Sequence, residues 1–270
     1  GASNRSSRPR RPPKRPAIGH LGVVCGVGRQ AGGHGGPTPQ IGPLVDISLA
    51  PKENDLNATL LGIDARGNLL YCIPGKMPVP RFPNLPQASE QGIRAFALDS
   101  NTLYILDPGN NAVWYYRNME IDQPPHTYFG PDRPDDVQGI LDMAVNRDDL
   151  FLLHEDGYMI LCVFGGLKES PTRCEDPATY YDPRPGRKNG PTILDARFRQ
   201  MLYLPPPDPS LYLFDPINGA IYHFGLRLTF QRQFRSLSSL PADIAPAFAI
   251  APNRTVFLVA RNQVYSAILP

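Results

Sequence analysis

Asp46, Asp142 and Asp195 each open a four-residue segment of small and apolar residues: Asp46-Ile-Ser-Leu49, Asp142-Met-Ala-Val145 and Asp195-Ala-Arg-Phe198. Ala95-Phe-Ala-Leu98 and Ala247-Phe-Ala-Ile250 repeat the pattern with alanine in first place. If these segments converge on one axis, three carboxylates meet there. Converging carboxylates can hold a hard cation such as Ca²⁺ through oxygen ligands. They can also act as acid and base in glycoside hydrolysis. The residue pattern favours a structural reading instead. Such carboxylates accept hydrogen bonds from the backbone of the next element, and Arg197, two residues beyond Asp195 on the same strand face, neutralises one of them. Ala95 and Ala247 leave the ring of carboxylates incomplete.

Other reactive residues are dispersed. His20, His34, His126, His154 and His223 show no HxH or HExxH spacing, so neither a metal triad nor a Ser-His-Asp site is expected from them. Gly32-Gly-His-Gly-Gly36 lacks the lysine of a phosphate-binding loop. Trp114, Tyr115-Tyr116, Tyr128 and Tyr180-Tyr181 could offer aromatic platforms to sugars, although strand-to-strand core is the commoner fate of such residues. None of the four cysteines is spaced as CxxC. Cys162 and Cys174 are expected to bond across a hairpin, and Cys25 with Cys72, pinning an amino-terminal strand. Buried free thiols are the alternative. Sequons stand at Asn4, Asn57 and Asn253.

The elements that must position these residues repeat. Asp64-Ala-Arg-Gly-Asn68, Asp107-Pro-Gly-Asn-Asn111, His154-Glu-Asp-Gly157 and Asp215-Pro-Ile-Asn-Gly219 each join two short apolar runs, and Ala260-Arg-Asn262 is a decayed copy. An aspartate at the turn start accepts from N–H groups two residues on, while Gly and Asn tolerate the left-handed backbone that closes a hairpin. One of the small-residue segments precedes each hairpin. Five copies of roughly fifty residues, each with at least three strands, make the blade pattern of a β-propeller. Fourth, outer strands are expected near Val79–Phe82, His126–Phe129, Ala178–Tyr181 and Leu228–Phe234. A sixth, degenerate blade would have to lie in residues 165–192.

On these turns, at Asp64, Asp107 and Asp215, and on the small-residue inner strand, the chain resembles the NHL and YWTD-like propellers over about residues 42–270. The resemblance implies an all-β single propeller. It implies little about function, since such repeats host enzymes, receptors and scaffolds. His154 departs from the turn pattern in blade three, and blade five has lost it.

Ahead of the propeller, residues 1–17 form a basic Pro/Arg-rich arm, and residues 18–41 a strand plus a Gly-rich connector. Residues 20–27 are expected to supply the fourth strand of blade five, in the same copy or in another. Residues 1–16 hold six of the 27 basic residues, leaving 21 against 25 acidic ones, a body of net −4. With no aromatics interleaved in the arm, nucleic acid is not an expected partner. No apolar run is long enough to span a membrane. The chain begins at Gly1 and reads as a processed or truncated product. Two disulfides and surface sequons point to an extracellular or cell-surface setting. The expected function is a non-catalytic structural or binding protein that assembles with its own copies into a layer or filament, with a glycan or peptide as ligand. The alternative is a glycoside hydrolase or glycan-binding module using the channel carboxylates. No cofactor is expected beyond Ca²⁺ at those carboxylates.

Overall fold

The computed structural model describes residues 41–50, 54–165, 172–235, 247–251, 253–260 and 263–269. The basic arm, the expected closing strand, most of the connector and Cys25 lie outside the described residues. Among the described residues nineteen strands form five antiparallel sheets in a ring, a five-bladed β-propeller. Blade one holds β1 (Leu44–Leu49), β2 (Leu60–Asp64), β3 (Leu69–Cys72) and β4 (Val79–Arg81). Blade two holds β5 (Ala95–Asp99), β6 (Thr102–Asp107), β7 (Ala112–Tyr116) and β8 (His126–Thr127). Blade three holds β9 (Ile140–Asn146), β10 (Asp149–His154), β11 (Met159–Val163) and β12 (Arg173–Ala178). Blade four holds β13 (Gln200–Leu204), β14 (Ser210–Asp215), β15 (Ala220–Gly225) and β16 (Phe230–Arg235). Blade five holds β17 (Ala247–Ile250), β18 (Thr255–Ala260) and β19 (Gln263–Ile268). Within each blade, consecutive strands are neighbours. No helix among the described residues is long and apolar enough to cross a membrane.

Strand alternation builds the core. Side chains of a strand point alternately to its two faces, and blades two, three and four are covered on both. In β6, Leu103 and Ile105 join the cluster shared with blade one, while Tyr104 and Leu106 join the cluster shared with blade three. All four are buried. That two-sided burial explains why the middle strands read as unbroken apolar runs. Equivalent layers lie between blades three and four and between blades four and five.

The Asp-led turns behave as their chemistry predicts. Asp64 accepts from the backbone N–H of Arg66 and Asn68, both at 2.9 Å, from the Asn68 amide at 2.9 Å, and from Gly42 N at 2.7 Å. Burial opposes its ionisation, but these four hydrogen bonds outweigh it and hold the carboxyl below the ordinary carboxylate range. Asp107 and Asp215 make the same contacts to Asn110 and Asn218.

Three expectations need correction. The inner strand of blade four is Gln200–Leu204, not Asp195–Phe198. Small-apolar alternation in Asp195-Ala-Arg-Phe198 mimics the inner strand five residues too early. Asp195 instead sits in a turn at φ +66°, and Phe198 buries its ring in the layer between blades three and four. The outer strand of blade three is Arg173–Ala178 rather than Ala178–Tyr181, because the cross-link at Cys174 sets its register. Residues 172–192 add that strand and loops to blade three, so no sixth blade forms among the described residues.

Candidate functional site

The corrected register places Asp46, Ala95, Asp142, Gln200 and Ala247 at one position of the five inner strands. Each is paired with the residue that lies one before a turn start in blades one to four, and with Val259 in blade five. The ring brings Asp46 and Asp142 together around the central channel. It does not bring Asp195, which is exposed and lies 3.7 Å from Arg187. Nor does it bring Arg197, which is exposed and donates to the carbonyl of Ala196 at 3.2 Å. The expected neutralisation of a channel carboxylate by Arg197 therefore fails, for the same register reason.

Both channel carboxylates clasp the next blade. Asp46 Oδ2 accepts from Phe96 N of blade two at 2.9 Å, and Oδ1 from Ile47 N at 2.7 Å. Asp142 Oδ2 accepts from Met201 N of blade four at 2.7 Å, and Oδ1 from Met143 N at 2.8 Å. Gln200 does the same with an amide, accepting from Phe248 N of blade five at 2.7 Å. Ala95 cannot. At that joint Arg94 reaches across instead, donating to the carbonyls of Gln138 and Ile140 at 2.9 and 3.0 Å.

The clasps sit in crowded surroundings. Both side chains keep part of their surface open to the channel, yet protein closes around the carboxyl groups. Burial raises Asp46 to about 6 against its two N–H donors. Burial, then the like charge of Asp46, raises Asp142 to about 7, again against its two donors. Two such carboxylates are few against the six to eight oxygen ligands that calcium takes, and among the described residues no group of three acidic, His or Cys side chains could hold a metal.

Among the described residues the three histidines, His126, His154 and His223, remain apart. His126 stacks on Tyr115 in blade two, and His223 on Tyr212 in blade four. His154 takes the place of the turn aspartate in blade three. Its Nδ1 accepts from Asp156 N at 3.1 Å, which leaves Nε2 to donate to Asp136 at 3.2 Å. Asp136 in turn accepts from Gly139 N at 2.9 Å. The carboxylate missing from this turn thus arrives from the loop before β9. Cys162 and Cys174 are bonded across the β11–β12 pair. Cys72 is also disulfide-bonded.

Sequence reasoning missed one feature, a cavity of about 190 Å³ on the rim of blade two lined by Asn111, Val113, Trp114, Thr127, Phe129 and Arg133. The available signal was the single tryptophan of the chain, placed at a strand position that blades one, three, four and five fill with Leu70, Ile160, Tyr222 and Tyr265.

No family model and no curated protein sequence matches the chain. Solved structures match its shape. A streptogramin B lyase aligns with TM-score 0.51 and 13% identity over 85% of this chain and 66% of its own, so the chain spans just under two thirds of that protein. The β-propeller domain of Cps50 (Swd1) from Myceliophteria thermophila aligns with TM-score 0.55 and 11% identity, over 87% and 69%. At such identities the likeness concerns the fold alone, the β-propeller.

Proposed function

We propose that this chain is a non-catalytic β-propeller of an extracellular or cell-surface setting, acting as a structural and binding protein that associates with its own copies. The observation that carries this reading is the use made of the channel carboxylates. Asp46 and Asp142 each place both oxygens on backbone N–H groups and tie one blade to the next. The Cys162–Cys174 disulfide supports an oxidising compartment. Self-association finds support in blade five, where β19 is the outermost described strand of a sheet one strand shorter than the others. A strand from residues 18–28 fits that edge, in the same copy or in the next. Sedimentation of the full chain against a chain lacking residues 1–28 tests the assembly. Oligomers lost on deletion support it; a monomer of unchanged size and stability in both removes it.

A second reading has one observation in its favour. Asp142, raised to about 7, can hold a proton near neutral pH, as a general acid must. Hydrolysis of a panel of aryl glycosides, compared between the wild type and Asp142→Asn, decides it. Activity abolished by this change would replace the scaffold reading with a hydrolase.

A further inference from the structure

From the rim of blade two we infer a binding site for a single neutral hexopyranose ring, the terminal or branch unit of a glycan. The inference rests on the reading of the chain as a binding propeller and deepens it.

The site follows from a truncated strand. β8 has two residues, the fewest of any outer strand described. It pairs only Thr127 with Trp114 and His126 with Tyr115. Beyond Thr127 the chain turns inward, where Tyr128 N donates to Val113 O at 2.9 Å, and then leaves the sheet. Trp114 is thus the last residue of β7 with a strand partner on the outer side. Register puts Leu70, Ile160 and Tyr222 at the same position of blades one, three and four. Those three are 2%, 0% and 3% exposed, whereas Trp114 is only half-buried.

The indole is held in place from behind. Its Nε1 donates to the Asp107 carboxylate at 2.9 Å, and the same oxygen accepts from the Asn110 amide at 2.7 Å. Asp107 is fully buried. The turn aspartate, a folding device in other blades, here fixes a flat aromatic wall. A preset wall binds without first having to be ordered. Phe129 forms the second apolar wall, itself set edge-on against Tyr128 at 5.6 Å. Around them stand polar groups with no competing partners. Arg133, Asn111 and Thr127 line the cavity, and among the described residues no hydrogen bond or ion pair engages their side chains.

The ligand class follows from shape and polarity. About 190 Å³ is the space of roughly six liquid waters, far below that of a drug-sized site. It admits one ring and no extended chain. One aromatic face with hydrogen-bonding groups around its perimeter suits a pyranose, which has an apolar face and hydroxyls at its edge. An aromatic or prolyl side chain would leave that perimeter unanswered. A uronate fits less well, because Asp132, Asp135 and Asp136 flank Arg133 in the chain and repel a carboxylate.

The single tryptophan makes the test direct, since its fluorescence reports this wall alone. The full chain is titrated with methyl glycosides of glucose, galactose and mannose, with methyl glucuronide as the charged comparison. The expected result is a saturable change for at least one hexoside, with a dissociation constant on the order of 1 mM, and weaker binding of the glucuronide. Arg133→Ala should weaken hexoside binding by about three- to tenfold, the worth of one or two hydrogen bonds, with an unchanged thermal midpoint. Phe129→Ala should weaken it as well. No saturable change with any hexoside overturns the site but leaves the scaffold reading, which is judged by particle size. Hexoside binding that is equal in wild type and both variants places the sugar elsewhere and also overturns the site.

Discussion

Replacing Asp142 by asparagine isolates the clasp between blades three and four. The wild-type carboxyl is raised from 3.8 to about 7 in the folded chain, so the folded state keeps its proton to higher pH than the unfolded state does. Stability from this group is therefore complete below about pH 4 and is lost as pH rises through 7. Between pH 5 and 8 two pH units of that loss remain, on the order of 3 kcal/mol. Water in the channel reaches part of the side chain, so about 2 kcal/mol is the reasonable expectation. Asparagine does not titrate. It keeps one acceptor for either Met201 N or Met143 N and turns an amide N–H₂ toward the other. That orphaned donor costs about 1–3 kcal/mol, but equally at both pH values. The stability gap between wild type and Asp142→Asn should thus close by about 2 kcal/mol from pH 5 to pH 8. For a domain of this size that is about 4–8 °C in the midpoint. Thermal melts by circular dichroism at the two pH values, wild type against variant, measure it, since titrating groups that do not interact with Asp142 cancel in the difference and Asp46 is the coupled one. A gap that stays constant or widens toward pH 8 would refute the account of the clasp as a buried, crowded carboxylate.

Other expectations are simpler to check. A Cβ on Gly139 would lie 2.0 Å from His154 Nε2, so Gly139→Ala should destabilise by about 3 kcal/mol, and the added His154→Ala should restore part of that in urea titrations. Removing the Cys162–Cys174 bridge, which closes a loop of sequence separation 12, should cost about 3 kcal/mol by loop entropy, measured by melts of the wild type against a Cys162→Ser, Cys174→Ser double variant without reductant, which keeps the bridge at Cys72. Asp107→Ala removes the acceptor of the Asn110 and Trp114 donors and should both destabilise by about 2–3 kcal/mol and shift the tryptophan emission to the red. Peptide mapping without reduction should link Cys72 to Cys25. A Cys72–Cys25 link that joins two copies would point to donation between chains.

The turns were legible in the sequence because their chemistry is local. An aspartate, the amide three or four residues on and a glycine decide a hairpin within five residues, and the apolar runs on either side decide that both sheet faces are covered. The spacing of those hairpins was enough to count the blades, and twelve residues between two cysteines on a hairpin were enough to pair Cys162 with Cys174. Blade four was misread because Asp195-Ala-Arg-Phe198 and Gln200-Met-Leu-Tyr203 are equally plausible inner strands. Pairing with β14, from Gln200 opposite Phe214 to Leu204 opposite Ser210, chooses the second.

What the chain order could not contain is the closure of the ring. Asp46 and Asp142 stand 96 positions apart, and only the ring brings them near enough for one to raise the other. It also gives each a backbone N–H of the following blade to hold. In the same way Trp114 has the composition of core, yet it stands half open where β8, which pairs with it, ends. Burial and electrostatic coupling are properties of what lies opposite, and neighbours across a blade joint are fixed by the tertiary fold, not by the residues beside them in the chain.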